Sequence, residues 1–204
     1  MANELNLYWD QIYSNKSPHP LSWPQEFPTA SIQILKSLNL TVDSPIIDIG
    51  GGDSRFVDLL LEAGFKNLTV LDISEEALKR AKLRLQEKAK EVKWIVTDIL
   101  DFEPSETYSL WHDRATFHFL SAPSDIHKYL GIAKKHTDQY LIIATFSETG
   151  PRYCSGLPVR NYSEADLIQE LGTGFKKLNC IREDHKTPMG TLQNFIYCSF
   201  KKIS

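Results

Sequence analysis

The chain has 204 residues, of which 42% are hydrophobic and 24% are charged, and its formal net charge is −3. Apolar residues are plentiful and there are only ten glycines and ten prolines, so the composition excludes a disordered, collagen-like or coiled-coil protein. The small acidic excess disfavours a nucleic-acid partner, because proteins that contact phosphates usually carry an excess of basic residues.

The sequence gives little indication of a signal peptide, a membrane-spanning segment or a cysteine-based site. The first residues, MANELNLYWDQIY, lack the basic and apolar regions of a signal peptide, and no apolar run approaches the ~20 residues that cross a bilayer. Cys154, Cys180 and Cys198 are an odd number of cysteines without CxxC spacing, which predicts neither a disulfide framework nor a zinc site. We therefore expect a cytoplasmic protein with reduced thiols, no membrane partner and no bound metal.

The N-terminal segment, residues 1–28, differs in composition from the rest of the chain. Its aromatic residues alternate with polar ones, and its four prolines end any helix after about Tyr13. Thr29 then stands where it can cap an amphipathic helix in TASIQILKSLNL.

From Pro45 onward, buried strands and amphipathic helices alternate. The predicted strands are PIIDIG, NLTVLDI, VKWIVTD, YSLWHD and QYLIIATF, and the predicted helices are SRFVDLLLEAG, EEALKRAKLRLQEKAK after its cap Ser74, and SAPSDIHKYLGIAKKH. This order predicts an α/β fold with a parallel sheet covered by helices on both faces.

The C-terminal part departs from this alternation. The helix SEADLIQELG is followed by two strand-like segments, FKKLNCIRED and NFIYCSFKK, with only the short loop HKTPMGTLQ between them. Two strands joined without a helix pair in antiparallel fashion. No linker interrupts the pattern, so we expect one domain over residues 1–204.

The most informative local feature is the glycine turn after the first strand. Asp48 precedes Gly50, Gly51 and Gly52, and the next two strands end at Asp72 and Asp98. Glycines permit close approach of a ligand to the backbone, and a carboxylate at the end of the second strand can accept hydrogen bonds from a ribose diol. Together these residues predict a bound nucleoside cofactor.

A nicotinamide dinucleotide fits this turn poorly. The G-x-G-x-x-G fingerprint requires a third glycine where this chain has Arg55. The Tyr197–Lys201 pair has dehydrogenase-like spacing, but it falls on a predicted strand, where four residues span about 13 Å. Both observations disfavour a dehydrogenase.

The motifs IIDIGGGDSRF, LTVLD and VTDIL, with the antiparallel end of the chain, resemble those of class I S-adenosylmethionine-dependent methyltransferases. The resemblance extends from about Tyr8 to Lys201, and the later segments resemble a group of small bacterial members. It implies a Rossmann-like, seven-stranded, mostly parallel sheet in the order 3-2-1-4-5-7-6, with strand 7 antiparallel and helices on both faces.

The resemblance also assigns roles by position. The methionine part of S-adenosyl-L-methionine would contact the glycine turn, the ribose would contact Asp72, and the adenine would lie near Ile73, Asp98 and Ile99. The segments YWDQIY and Ser22-Trp23 look like the aromatic lid of thiopurine-type and lysine-directed methyltransferases, although these aromatics would equally serve to anchor the N-terminal helix. The expected cofactor-binding residues are Trp9, Tyr13, Trp23, Asp48, Gly50, Gly51, Gly52, Asp72, Ile73, Asp98, Ile99 and His112.

Candidate catalytic residues follow the fourth strand. His112 titrates near neutral pH in its unperturbed state and Asp113 could orient or deprotonate an acceptor. His118 lies one helical turn further on. The alternatives are structural: an Asp113–Arg114 ion pair, and a packed or capping His118.

Two long loops are expected on the acceptor side. Residues 147–162 carry arginines suited to an acidic group, and residues 183–193 would cover the same pocket. The candidates are Arg152, Tyr153, Cys154, Arg160, Tyr162, His185 and Gln193, with Cys154 disfavoured as a nucleophile.

The sequence thus predicts an S-adenosylmethionine-dependent methyltransferase acting on a small molecule, with a thiol as the first candidate acceptor. Two alternatives remain open: a protein lysine methyltransferase and a non-catalytic S-adenosylmethionine-binding protein. The sequence does not decide the oligomeric state.

Overall fold

The computed structural model describes residues 2–14, 28–187 and 190–203. Six α-helices are present in these ranges: α1 (Ala2–Ser14), α2 (Thr29–Ser37), α3 (Phe56–Glu62), α4 (Glu75–Leu85), α5 (Pro123–His136) and α6 (Glu164–Leu171). The strands are β1 (Ile46–Ile49), β2 (Leu68–Asp72), β3 (Val92–Val96), β4 (Tyr108–Arg114), β5 (Thr137–Phe146), β6 (Tyr153–Cys154), β7 (Leu157–Pro158), β8 (Phe175–Lys186) and β9 (Leu192–Lys202). Trp23, an expected lid residue, lies outside the described residues.

Seven strands form one sheet in the order β3-β2-β1-β4-β5-β9-β8. The first five are parallel to one another, whereas β9 pairs antiparallel with both β5 and β8. The strands β6 and β7 form a separate short hairpin, so β8 and β9 are the sixth and seventh strands of the sheet. The expected α/β fold, strand order and antiparallel strand are confirmed.

The central strands are apolar because both of their faces are covered. Every residue of β1 and β2 is buried, and two hydrophobic clusters occupy the two sides of the sheet. Parallel strands with helices on both faces show this continuous burial instead of an alternating pattern.

Of the two N-terminal helix caps predicted from the sequence, the structure confirms one. Ser74 caps α4, where its hydroxyl accepts a hydrogen bond from the Ala77 backbone N–H at 3.1 Å. The prediction that Thr29 caps α2 is wrong, because Thr29 is already the first helical residue and Pro28 occupies the cap without a side-chain hydrogen bond.

The prediction of reduced thiols is wrong for two of the three cysteines. Cys180 on β8 and Cys198 on β9 are direct neighbours across the antiparallel pair and form a disulfide, whereas Cys154 is free and buried. Disulfides persist mainly in oxidising compartments. The bond therefore does not support the cytoplasmic location expected from the sequence, which stays a prediction. In the described part of the chain, none of the helices has the length and apolar character needed to cross a membrane.

Candidate active site

The glycine turn after β1 leaves no room for side chains. Gly50 has φ +63°, and a Cβ on it would lie 1.8 Å from Thr116 Oγ1. Gly52 has φ +43°, and a Cβ there would lie 2.9 Å from Asp72 Oδ2. Only glycine combines this backbone conformation with such close approach. The turn therefore brings bare backbone against the carboxylates at the ends of β1 and β2.

Asp48 is buried beside this turn and its two oxygens have different surroundings. Oδ1 lies 2.6 Å from Nδ1 of His112, which is itself buried. Oδ2 has no hydrogen-bond partner among the described residues, although Asp48 lines a cavity. A buried, unpartnered carboxylate oxygen at a cavity wall suits a cationic ligand group.

Asp72 is the last residue of β2, and it lines the same cavity. Its Oδ1 accepts a hydrogen bond from the Ser74 backbone N–H at 2.8 Å. The pKa of Asp72 is raised to about 7, mainly by burial and also by the nearby carboxylates of Asp48 and Asp10, although its backbone hydrogen bonds act in the opposite direction. This carboxyl group therefore changes charge near neutral pH.

The third strand contributes the far end of the cavity. Asp98 follows β3, and its Oδ1 accepts a hydrogen bond from the Leu100 N–H at 2.9 Å, which fixes the turn. Ile73 and Ile99 line the cavity beside it. The arrangement is an apolar slot with a carboxylate at its edge, which suits a flat heteroaromatic ring.

Helix α1 lies across the opening of this cavity. Asp10 Oδ1 accepts hydrogen bonds from Ser74 Oγ at 2.6 Å and from the Glu76 N–H at 3.2 Å, so α1 contributes to the N-terminal cap of α4. On its other side, the Tyr8 hydroxyl donates to the carbonyl of Ser155 in the β6–β7 hairpin. Both contacts hold α1 as a roof.

Two aromatic residues of α1 face the cavity. Trp9 meets the ring of Phe119 edge-on, with 5.2 Å between centroids, and Tyr13 is buried under the guanidinium of Arg80. The structure thus brings the expected lid residues Trp9 and Tyr13 to the pocket.

Trp9→Ala separates a lid from a structural anchor. We expect weaker binding of a sulfonium ligand by about 0.5–2 kcal/mol, because an aromatic face attracts a cation on this scale. The matched control is Leu7→Ala, on the same helix with 60% of its side chain exposed. The measurements are calorimetric titration and thermal melting. Loss of the folding transition in Trp9→Ala, with Leu7→Ala unaffected, would instead assign Trp9 to anchoring the helix.

The cavity has a volume of about 660 Å³. Beyond the residues described above, a second set of residues lines it, and we call this set the second wall. The second wall consists of residues after β4, the start of α5 and the β6–β7 hairpin. Its members are Arg114, Ala115, Thr116, Phe119, Leu120, Ser121, Asp125, Lys128, Cys154, Leu157 and Pro158.

The predicted catalytic pair lies behind this wall. His112 stacks on Phe56 with 4.1 Å between ring centroids, and its Nε2 lies 2.9 Å from Ser31 Oγ. Neither His112 nor Asp113 is among the cavity-lining residues. Both side chains are buried in the packed layers beside the sheet, and their catalytic role stays a prediction.

Asp113 has a structural environment. Its Oδ2 accepts from the Tyr129 hydroxyl at 2.6 Å, and its Oδ1 accepts from the backbone N–H groups of Thr116 and Phe117 at 3.0 and 3.1 Å. Burial raises its pKa to about 6, although these hydrogen bonds lower it. Asp113 thus fixes the turn that follows β4. The expected ion pair with Arg114 is not the contact that holds it.

His118 is also buried and does not line the cavity. Its Nδ1 accepts a hydrogen bond from the Phe146 N–H at 3.3 Å, and its ring lies 4.7 Å from that of Phe146. Burial, helped by the positive charge of Arg114, lowers the pKa of His118 to about 3. It is a neutral, packed histidine.

Only one of the five candidates in the 147–162 loop reaches the pocket. Cys154 lines the cavity, and burial raises the pKa of its thiol, which does not suit a nucleophile. Arg160 binds Glu170 at 2.7 Å, Tyr162 is buried against Phe117, and Arg152 and Tyr153 are exposed.

The second expected loop is shorter than the sequence indicated. The strands β8 and β9 include residues that were expected in the loop, so His185 and Gln193 are paired across the two strands. Neither residue lines the cavity.

Arg114 is the acceptor-side residue that sequence reasoning undervalued. It ends β4 and lines the cavity, while its Nε donates to the Tyr197 hydroxyl at 2.9 Å. Its guanidinium lies 4.8 Å from the ring centroid of Phe195. Both partners are on β9, far away in sequence, so no local motif indicated this contact.

Comparisons with known proteins show which proteins this chain is similar to. Residues 46–138 match the methyltransferase domain family. The fold matches a solved S-adenosylmethionine-dependent methyltransferase from Anabaena variabilis with a TM-score of 0.76 and 15% identity, over 99% of this chain and 95% of that chain. The fold is therefore that of solved S-adenosylmethionine-dependent methyltransferases, and residues 46–138 resemble the methyltransferase domain family.

Two further proteins are similar to this chain. Malonyl-[acyl-carrier protein] O-methyltransferase from Anoxybacillus flavithermus is 33% identical over 104 residues, which cover 50% of this chain but only 39% of that protein. The 1,6-didemethyltoxoflavin-N1-methyltransferase of Burkholderia thailandensis has a TM-score of 0.69 and 17% identity, over 100% of this chain and 87% of that chain. It was solved with 1,6-didemethyltoxoflavin and S-adenosylhomocysteine.

The cavity has features that fit S-adenosylmethionine, with which the similarly folded glycopeptide N-methyltransferase MtfA was solved. The unpartnered Oδ2 of Asp48 matches an ammonium group, and the glycine turn leaves the space that side chains would fill. Among the described residues of this chain, no group of three or more His, Cys, Asp or Glu side chains is arranged to hold a metal ion.

Proposed function

We propose that this chain transfers the methyl group of S-adenosylmethionine to a small-molecule acceptor. One observation carries the proposal: the same cavity is lined by the carboxylates at the ends of β1, β2 and β3 and by residues from the end of β4 onward and the β6–β7 hairpin. Two reactants can therefore meet in one space that α1 shields from water.

The proposed cofactor contacts follow from the chemistry of each wall. Asp48 would receive the ammonium group, and Asp72 would accept hydrogen bonds from the ribose hydroxyls. The adenine ring would lie between Ile73 and Ile99, with Asp98 at its edge. Bound S-adenosylmethionine supplies an electrophilic methyl group on sulfur. The protein's contribution is to align this group with the acceptor at about 3–3.5 Å and to exclude water.

The acceptor wall favours a soft nucleophile. No histidine is among the described residues that line the cavity, so an imidazole base for a hydroxyl acceptor lacks support. A thiolate or a neutral amine needs no strong base. The positive charge of Arg114 would favour a thiolate over a thiol. A thiol is therefore the acceptor we propose first.

A protein lysine substrate would need an open groove, whereas α1 and the β6–β7 hairpin both line this cavity, which favours a small acceptor. The Burkholderia relative supports a small acceptor, since it was solved with 1,6-didemethyltoxoflavin. A non-catalytic binding protein would share the cofactor wall and would require no acceptor wall.

A methyl-transfer assay tests this proposal. The protein is incubated with methyl-labelled S-adenosylmethionine and separate panels of small thiols, amines, alcohols and lysine-containing peptides, and both S-adenosylhomocysteine and the labelled product are measured. Labelled thiol product, formed at least about tenfold more slowly by Asp72→Ala at low cofactor concentration, is the expected result. Transfer to peptides alone would support the lysine-directed alternative, and tight cofactor binding without transfer to any panel would support the non-catalytic one.

A further inference from the structure

A buried chain of side chains connects helix α2 to the carboxylate proposed to hold the cofactor's ammonium group. Ser31 on α2 lies 2.9 Å from Nε2 of His112, and Nδ1 of His112 lies 2.6 Å from Asp48 Oδ1. All three residues are at most 3% exposed. We propose that the Ser31–His112 pair is a positioning device that orients Asp48 towards the ammonium group of S-adenosylmethionine.

The direction of the hydrogen bond follows from the groups involved. An ionised carboxylate only accepts, so Nδ1 donates to Asp48 Oδ1, and Nε2 remains for the hydroxyl of Ser31. Phe56 stacks on the imidazole ring at 4.1 Å and keeps the ring in place. His112 is thus held by two different elements before it contacts Asp48.

Orientation matters because the terminal torsion of aspartate is soft. The carboxylate plane of an Asp side chain rotates over a broad range unless a partner fixes it. With Oδ1 held by His112, the other oxygen, Oδ2, is the one left without a described partner at the cavity. His112 therefore acts on the cofactor only through Asp48, and it need not touch the cofactor or the acceptor.

This inference rests on the proposed function, in which Asp48 binds the ammonium group. It predicts a difference between two ligands that a merely structural role of His112 would not produce. S-adenosylhomocysteine carries the ammonium group, whereas 5′-methylthioadenosine presents the same nucleoside without it. If His112 acts through Asp48, replacing His112 should weaken the binding of S-adenosylhomocysteine and leave the binding of 5′-methylthioadenosine unchanged.

The experiment compares His112→Phe with His112→Asn by titrating both ligands. Phenylalanine keeps the ring shape and removes the donor, whereas the asparagine amide can place a donor near the position of Nδ1. We expect His112→Phe to weaken S-adenosylhomocysteine binding by about tenfold, the lower end of the effect seen when a partner that orients a metal ligand is removed. His112→Asn is expected to stay within about threefold of the unchanged protein, and 5′-methylthioadenosine binding is expected to change by less than about twofold in both variants.

Ser31→Ala provides a second variant and should weaken S-adenosylhomocysteine binding less than His112→Phe does. Melting curves identify a temperature at which every variant is folded. Equal losses for both ligands, or equal behaviour of the Phe and Asn variants, would overturn the positioning role while leaving the proposed function intact. Failure of the unchanged protein to bind either ligand would overturn both.

Discussion

Asp72→Ala is expected to weaken S-adenosylhomocysteine binding by about 1.5–3 kcal/mol, which corresponds to a loss of roughly 10- to 150-fold in affinity. Asp72 is buried at the cavity wall, and its second oxygen lies close to the backbone of Gly52. A carboxylate in this place accepts from a ribose diol with charge-assisted hydrogen bonds, and alanine leaves the diol unpaired. Calorimetric titration at pH 8, where Asp72 is ionised, measures the effect.

Asp101→Ala is the matched control for this prediction. Asp101 also lines the cavity, but it is exposed at the rim and its ion pair with Lys128 spans 3.6 Å. Exposed pairs of this kind contribute little free energy, so affinity should change by less than about threefold. Equal affinities of the Asp72→Ala variant and the unchanged protein would remove Asp72 from the ribose site.

The second large effect is the pH dependence of cofactor binding. Because the pKa of Asp72 is about 7 in the free protein, the carboxyl group is mostly protonated below that pH. Ribose hydroxyls that donate to the carboxylate favour its ionised form, so binding must remove the proton at low pH. Affinity is expected to fall as the pH decreases through 7, with a loss of about thirtyfold between pH 8 and pH 5.5 and a limiting slope of tenfold per pH unit.

Asp72→Asn isolates this effect from other titrating groups. Asparagine keeps the shape of the side chain and one acceptor oxygen but does not titrate. Its affinity should be lower than that of the unchanged protein at pH 8 and nearly independent of pH from 5.5 to 8. A pH profile in Asp72→Asn that parallels that of the unchanged protein would show that another group is responsible.

The fold could largely be predicted from the sequence because the relevant signals are local. Apolar runs that end in Gly or Asp, alternating with amphipathic helices, define the parallel part of the sheet. The absence of a helix between the last two strands defines the antiparallel part. The family resemblance supplied the order of the strands, which periodicity alone does not contain.

The disulfide could not be predicted in this way, because it depends on register. Cys180 and Cys198 are 18 residues apart in sequence, and they meet because β8 and β9 pair so that these two positions are opposite. Spacing in the sequence does not give that register, since it depends on where the connecting turn falls.

The candidate site likewise contains some residues whose positions could be predicted from the sequence and others whose positions could not. Asp48, Asp72 and Asp98 were predictable because the ends of parallel strands meet at one edge of the sheet. The burial of His112 and Asp113 was not predictable in this way, because successive residues of a strand point to opposite faces and both faces of this sheet are covered. His112 accordingly contacts Ser31 and Phe56 on one side, and Asp113 contacts Tyr129 on the other. Arg114, at the end of the strand, is the residue that reaches the cavity.

Calorimetric titration of the purified protein with S-adenosylmethionine, S-adenosylhomocysteine and NADH in parallel tests the central claim most directly. The geometry of the glycine turn, with Asp48 and Asp72 beside it, predicts micromolar binding of the first two ligands and no binding of NADH. Binding of NADH alone, or binding of none of the three, would contradict the assignment of this cavity to S-adenosylmethionine.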